Sequence, residues 1–122
     1  MLLIAWSAFQ PAQTPVVPKV GLTITRSCTV AKGDYLLATP DSLESAAITI
    51  RGNDIVVDFA DVVVRGTPQS MAPNQRKGLG ILVEGSNITI RNAKVHGYKV
   101  ALLARNSPGL KVVHSDFSYN WK

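Results

Sequence analysis

Short stretches in which apolar and polar residues alternate recur along the chain from about residue 46 onward. In Ile48–Ile50, Ile55–Val57 and Ile88–Ile90, a β-branched residue occupies every second position. An alternation with a period of two is typical of strands that bury one face. Glycine, asparagine and serine separate most of these stretches and predict tight turns between them.

A longer period is superimposed on this alternation. Residues 53–62, 86–95 and 108–117 align without gaps, and their first residues are 33 and 22 positions apart. An apparent insertion of 11 residues, Thr67–Lys77, lies between the first two copies, and without it the period is 22 in both intervals. Self-similarity of this length is typical of a solenoid. The predicted strands, three in each copy, are Ile48–Ile50, Ile55–Val57, Val62–Val64, Ile81–Val83, Ile88–Ile90, Val95–Gly97, Leu102–Ala104, Leu110–Val112 and Phe117–Tyr119.

The alignment also predicts which residues stack on one another. Parallel strands of successive coils lie about 4.8 Å apart, so equivalent residues form columns. The predicted inward columns are Ile55/Ile88/Leu110 and Val57/Ile90/Val112, and the outward ones are Arg51/Glu84/Arg105, Asp61/Lys94/Asp116 and Asp58/Arg91. Charges alternate in sign down the outward columns, which suits neighbouring strands. We therefore predict an all-β fold, a right-handed parallel β-helix of about three coils of roughly 22 residues, since a β-sandwich predicts no such repeat.

The rest of the chain is divided by composition. Residues 1–18 contain a short apolar run followed by a proline-rich stretch, and they predict a truncated signal peptide with a linker. Residues 19–47 are expected to cap the solenoid, with a short helix opening at Asp41–Glu44. Residues 48–122 form the coils, which stop in mid-repeat, so we expect the open C-terminal coil to promote self-association. The apolar run is too short to span a bilayer, and an extracellular or periplasmic location is expected.

The charge of the chain is unevenly distributed. The net charge is +5, and residues 61–122 carry nine Lys/Arg against three Asp/Glu. This excess could attract acidic polysaccharide, phospholipid or nucleic acid. Basic solvated faces of a sheet protein are the favoured explanation, because no Lys/Arg run exceeds the pair Arg76-Lys77, and no nucleic-acid partner is expected. The single cysteine, Cys28, excludes an intrachain disulfide and is expected to be a buried, inert thiol.

Two segments resemble a known superfamily. The stretches Gly80–Asn92 and His114–Asn120 are similar to repeats of the pectin-lyase-like superfamily, and nearest to the right-handed β-helix repeat proteins of bacterial envelopes. That resemblance implies an exported β-helix that binds or modifies polysaccharide. The alternative is a non-catalytic envelope scaffold or adhesin. The signatures of calcium-dependent pectate lyases and of polygalacturonases are absent from this sequence, which argues against these two activities in this segment, and the residues leave open whether the chain is an enzyme.

Candidate residues follow from chemistry that acts on sugars. General acid–base catalysis needs carboxylates or histidines that converge on a groove, and the candidates are Asp61, Asp116, His96 and His114. Cations that could hold an acidic glycan are Arg76, Lys77, Arg91 and Lys94. The stretch Thr67–Lys77 is either a binding rim or mere decoration. Two histidines without cysteine partners predict no metal site, and no cofactor fingerprint is present. A convergent acid pair would favour an enzyme, whereas a ladder of paired charges would favour a scaffold.

Overall fold

The structure, a computed structural model, describes residues 15–40, 42–66, 77–118 and 120. This part of the chain contains strands and no helix. The strands are β1 (Leu22–Ile24), β2 (Cys28–Thr29), β3 (Asp34–Leu36), β4 (Ala46–Arg51), β5 (Val56–Asp58), β6 (Val63–Arg65), β7 (Leu79–Glu84), β8 (Thr89–Arg91), β9 (Lys94–His96), β10 (Val100–Arg105) and β11 (Lys111–Val113). The predicted all-β class is confirmed.

The strands form three sheets in which every pairing is parallel. The first sheet has the order β1-β4-β7-β10, the second β2-β5-β8-β11 and the third β3-β6-β9. Each strand therefore pairs with the strand three places later in the chain, as the stacked strands of a parallel β-solenoid do. In the first sheet β4, β7 and β10 have six residues each and β1 has three, whereas the strands of the other two sheets have two or three.

The register of the first two sheets agrees with the prediction. Glu84 lies opposite Arg51 on one side and Arg105 on the other, which confirms the charged column. In the second sheet Ile90 lies between Val57 and Val112. These two sheets determine how the coils stack, because a slip of the register by one residue would turn the apolar side chains outward.

The register of the third sheet differs from the prediction by two residues. Val63, and not Asp61, lies opposite Lys94. The Lys94–Asp116 pairing is present as an isolated parallel bridge. The predicted column Asp61/Lys94/Asp116 is therefore wrong at Asp61 and confirmed for its other two members.

A wider turn explains this difference. Four residues, 59–62, join β5 to β6, whereas two residues, 92 and 93, join β8 to β9. Ala60 and Asp61 have φ angles of 52° and 61°, so both residues adopt the left-handed backbone conformation in this turn, before β6 begins. Because this turn has two additional residues, each residue of β9 pairs with the residue of β6 two positions later in the chain than a gap-free alignment predicts.

Columns of inward side chains fill the interior. Ile48 stacks on Ile81 and Ile50 on Val83, and all four side chains are fully buried. The ring of Phe59, in the wider turn, is fully buried as well. Burying a side chain of this size contributes about 1.5–3 kcal/mol relative to leaving it exposed, so these columns supply the main driving force for folding.

A buried tyrosine crosses the interior beside the third sheet. The Tyr98 ring is fully buried, and its hydroxyl donates a hydrogen bond of 2.8 Å to the carbonyl of Leu37. Gly66 and Gly80 lie against the ring, and a Cβ atom at Gly66 would overlap it. Glycine at this position is therefore required by packing.

Left-handed residues stack at the turns. Asn92 and His114 have φ angles of 57° and 51°, and Asn92 N donates to the carbonyl of Val113 at 3.0 Å. His114 thus lies in the turn that Asn92 occupies one coil earlier, which the alignment predicts. Asparagine accepts this conformation more readily than most residues, and histidine is also enriched there.

The segment expected to act as a cap contributes a strand to each sheet. Within residues 19–47, β1 pairs with β4, β2 with β5 and β3 with β6. The predicted helix at Asp41–Glu44 is not formed by the described residues of that stretch. Residues 42–45 make a turn in which the amide of Glu44 donates to Ser42 Oγ at 3.0 Å, and Asp41 lies outside the described residues.

Candidate functional site

The outer face of the second sheet carries two columns of polar and charged side chains. Val57 points inward and is fully buried, so its neighbours Val56 and Asp58 point outward. The amide of Val56 donates to Ser27 Oγ at 2.9 Å, which places Ser27 beside it. The two outward columns, read from β2 to β11, are Ser27/Val56/Thr89/Lys111 and Thr29/Asp58/Arg91/Val113.

A shallow depression of about 350 Å³, here the second-sheet groove, lies between these columns. It is lined by Ser27, Cys28, Thr29, Val56, Asp58 and Arg91. The groove thus combines two hydroxyls, one carboxylate, one guanidinium and an apolar platform, since the side chain of Val56 is partly exposed. A few convergent polar groups around an apolar floor are typical of small-molecule sites.

The carboxylate of Asp58 is held in one orientation. Its Oδ1 atom accepts hydrogen bonds from Asn92 Nδ2 at 3.0 Å and from Ala60 N at 2.8 Å. These two hydrogen bonds, with the positive charge of Arg91, lower the pKa of Asp58 and outweigh its slight desolvation. Asp58 is therefore an ionised hydrogen-bond acceptor at neutral pH and is unsuited to act as a general acid.

Cys28 lies at the edge of the groove with its strand partner Val57 in the core. Its side chain is half-buried and packs against the interior cluster. Desolvation raises the pKa of the thiol, against a smaller opposite effect of the Arg26 charge. A neutral thiol is a poor nucleophile, so the structure agrees with the inert role expected for it.

Three of the candidate residues lie together on the outer face of the third sheet. Lys94 and His96 belong to β9, and Asp116 pairs with Lys94. His96 lies opposite Arg65, two residues beyond the predicted partner Val63. Its Nδ1 atom is 2.6 Å from the main-chain carbonyl of Ser118.

The cluster lacks the geometry of a nucleophilic triad. Hydrogen bonds from the side chain and the main-chain N–H of Ser118 are the main cause of a lowered pKa at Asp116. The amide bond, from Ser118 N to Asp116 Oδ1, measures 2.9 Å. A triad needs the hydroxyl on the imidazole and the carboxylate behind it. Here the hydroxyl of Ser118 hydrogen-bonds to the carboxylate of Asp116, and Nδ1 of His96 faces the main-chain carbonyl of Ser118, so these contacts do not form the serine–imidazole–carboxylate chain of a triad.

The remaining catalytic candidates lie at the corner between the second and third sheets. Asp61 sits in the wider turn and donates its amide to the carbonyl of Asn92 at 2.9 Å. His114 occupies the equivalent turn two coils later and is exposed. Asp61 and His114 thus lie in turns, whereas His96 and Asp116 lie on the third sheet, and none of the four lines the second-sheet groove.

The predicted cations are distributed over several surfaces. Arg91 lines the second-sheet groove, and Lys94 lies across the turn on the third sheet. Lys77 is exposed immediately before β7, and Arg76 lies outside the described residues. Sequence reasoning identified the Asp58/Arg91 column but missed Ser27 and Thr29, because their strand is 29 residues from its partner and breaks the 22-residue period.

The outer face of the first sheet is largely apolar, whereas the outer faces of the second and third sheets are largely polar. Ala46, Leu79 and Leu82 form a second buried cluster on this face, with Val100 and Leu103 packed against it. Beside this cluster, Arg51 and Glu84 form an ion pair of 2.8 Å in the predicted charged column. A longer contact of 3.9 Å joins Arg105 to Glu44. This face has paired charges and buried leucines, which suit packing rather than sugar chemistry.

The described residues contain no group of three or more metal-binding side chains and no helix of the length and apolarity needed to cross a membrane. Handedness and superfamily stay sequence-based expectations, while the parallel solenoid follows from the strand register. No protein family, no curated protein and no solved structure shows a detectable match to the chain.

Proposed function

We propose that this protein is an exported, right-handed β-helix that binds acidic polysaccharide on its outer surface without cleaving it. The resemblance to envelope β-helix proteins supports export and a carbohydrate partner. Parallel crossover connections are right-handed in about 98% of cases, which supports the handedness. The composition of the second-sheet groove supports the binding role.

The observation that carries the proposal is the position of one ionised carboxylate, Asp58, opposite one arginine, Arg91, on neighbouring strands of this groove. Glycoside hydrolysis generally needs two carboxyl groups, one of them with a raised pKa so that it can donate a proton. Among the described residues Asp58 supplies the one carboxylate that lines the groove, and its pKa is lowered instead. A fixed acceptor beside a guanidinium is suited to holding sugar hydroxyls and an acid group.

Binding and the absence of cleavage are tested together. Polygalacturonate is titrated into the purified chain in a calorimeter at low ionic strength, with dextran as the neutral control. The mixtures are then assayed for new reducing ends and for the ultraviolet absorbance of unsaturated uronates. We expect a heat of binding with polygalacturonate and none with dextran. We also expect no new reducing ends and no unsaturated uronates. Release of either product would show that the protein is an enzyme, and failure to bind would reject the proposal.

A non-catalytic envelope scaffold is the second candidate, and the charged column of the first sheet favours it. Arg51 and Glu84 form an ion pair, and Arg105 lies opposite Glu84 on the next strand, as expected for a surface whose charges stabilise the coil. A scaffold predicts self-association but no glycan binding, so the calorimetric titration also separates these two functions.

A further inference from the structure

A depression of about 200 Å³, here the interior mouth, lies where the solenoid interior meets solvent beside β1 and β2. Three inward side chains line it, Leu22, Ile24 and Cys28. Their strand partners in β4 and β5 are fully buried, whereas Leu22 and Cys28 are only half-buried. Val16 closes one side of the mouth, where it pairs with Val30. The mouth therefore presents part of the apolar interior at the surface.

One cation stands at the rim of this mouth. Arg26 lines it from the turn between β1 and β2, is exposed, and forms no ion pair within the described part of the chain. Desolvation raises the pKa of the Cys28 thiol, and the charge of Arg26 opposes this with a smaller effect, which places the guanidinium near the apolar lining. An apolar cavity with one guanidinium at its rim matches a molecule that has an aliphatic chain and a carboxylate head.

The size and the charge of the mouth limit the ligand further. At about 200 Å³ its volume is below the range of about 300–1,000 Å³ that pockets for drug-sized ligands occupy, so it suits a short chain. A single guanidinium suits a head with one negative charge, whereas nucleic acid is held by several cations.

We propose that the interior mouth binds a medium-chain monocarboxylate, with its aliphatic chain against Leu22, Ile24 and Cys28 and its carboxylate on Arg26. Cys28 borders both this mouth and the second-sheet groove. Arg26 does not line the groove, and Arg91 does not line the mouth, so the two sites hold their ligands through different cations.

Alkylation of Cys28 reports on the mouth without an added label, because the sequence contains one cysteine. The purified chain is treated with iodoacetamide at about pH 9, where a thiol of raised pKa is still partly ionised, and the rate is followed by intact mass. Sodium octanoate, hexanoate and acetate are compared at equal ionic strength. We expect octanoate to halve the rate at a concentration on the order of 1 mM. Hexanoate should need about 15-fold more, since each buried methylene contributes about fourfold in affinity, and acetate should give no protection.

Matched charge removals locate the carboxylate. The rates with and without octanoate are compared within each of Arg26→Gln, Lys32→Gln and Arg91→Gln, because the charge of Arg26 also affects the thiol itself. Thermal melting checks each fold. Arg26→Gln should weaken octanoate binding by about threefold to fivefold, as expected for an exposed ion pair. Lys32→Gln removes the same charge from the exposed turn before β3 and should bind octanoate as the parent does. The neutral analogue, octanol, should bind equally to the parent and to Arg26→Gln.

The same measurements can overturn the site. Equal protection by octanoate and octanol in the parent chain would reject the carboxylate. A loss in Arg91→Gln as large as that in Arg26→Gln would place the ligand in the second-sheet groove instead. Protection of Cys28 that rises with protein concentration and needs no ligand would show that a second copy covers the mouth. Absence of protection even at about 10 mM octanoate would reject the site, while the polysaccharide titration would be unaffected.

Discussion

The hydroxyl of Tyr98 donates a hydrogen bond of 2.8 Å to the carbonyl of Leu37, a residue 61 positions earlier in the chain. The bond is buried and joins the turn after β9 to the end of β3, so it spans the third sheet from one edge to the other. Desolvation raises the pKa of this hydroxyl, which therefore stays a donor throughout the accessible pH range. A single side chain thus connects segments that are not strand neighbours.

The Tyr98→Phe substitution should lower the free energy of unfolding by about 1–2 kcal/mol, because the buried carbonyl of Leu37 loses its donor. Urea denaturation followed by circular dichroism measures the effect. Tyr35→Phe is the matched control, since the Tyr35 hydroxyl donates to Ala31 O and Lys32 O in a more exposed setting. Equal losses for the two variants would contradict the buried role of Tyr98.

The Glu84→Lys substitution should place three like charges in the column Arg51/Glu84/Arg105 and destabilise the coil by up to about 1 kcal/mol. The loss should shrink at high salt, because exposed charges are screened. Glu44→Lys is the control, since Glu44 reaches Arg105 only at 3.9 Å and is mostly exposed. Urea midpoints at low and high ionic strength measure both variants, and a salt-independent loss would point to packing instead of charge.

The stability of the chain should depend on the ionisation of Asp58 in acid. Its pKa is lowered in the folded state, so its contribution is present above the unfolded pKa of about 3.9 and is lost as the pH falls through the folded value. Asp58→Asn should therefore be less stable than the parent at pH 7, and the difference should diminish below about pH 4. Thermal melting of both proteins, recorded from about pH 2 to about pH 7, measures this difference. Asp61→Asn removes a carboxylate from the adjoining turn and controls for the loss of one negative charge, and an equal pH dependence of the two variants would contradict the prediction.

The exposed edge of β11 should promote association. Val112 belongs to an inward column with Ile90 but is 42% exposed, because β11 is the last strand of its sheet in the described part of the chain. An edge strand with apolar side chains tends to pair with another chain, and a lysine there opposes it. We expect light scattering to show association that rises with concentration and is reduced by Val112→Lys. Val56→Lys replaces a valine of similar exposure away from the edge, and it should leave association unchanged.

The sequence predicted the stacking of β4, β7 and β10 and of β5, β8 and β11 because each register was specified twice. One alignment stacks the inward Ile81 on Ile48 and also sets the outward Glu84 against Arg51, and a slip of the strand would break one match or the other. The third sheet had no such second signal. Val62, Val63 and Val64 are all valines, and a shift by two residues keeps every side chain on its face, so periodicity alone could not detect the two additional residues of the turn.

The groove could be predicted only in part for a related reason. Asp58 and Arg91 share a repeat and were aligned, whereas Ser27 and Thr29 precede the regular period. Tyr98 was not predicted as a buried anchor because it lies in a turn, where no alternation indicates which way a side chain points. Contacts made outside the repeat depend on turn length, which a periodic pattern does not encode.

The extra stretch between β6 and β7 suggests a use for the solenoid as a display scaffold. The strands on either side keep their pairings, with Arg65 opposite His96 and Leu79 opposite Val100. A foreign peptide exchanged for residues 67–76 would join the same two strand ends, and doubling its length would add only about 0.6 kcal/mol of closure entropy. An antigenic or affinity peptide could therefore be grafted between these strand ends, and thermal melting of the graft would measure whether the coils keep their stability.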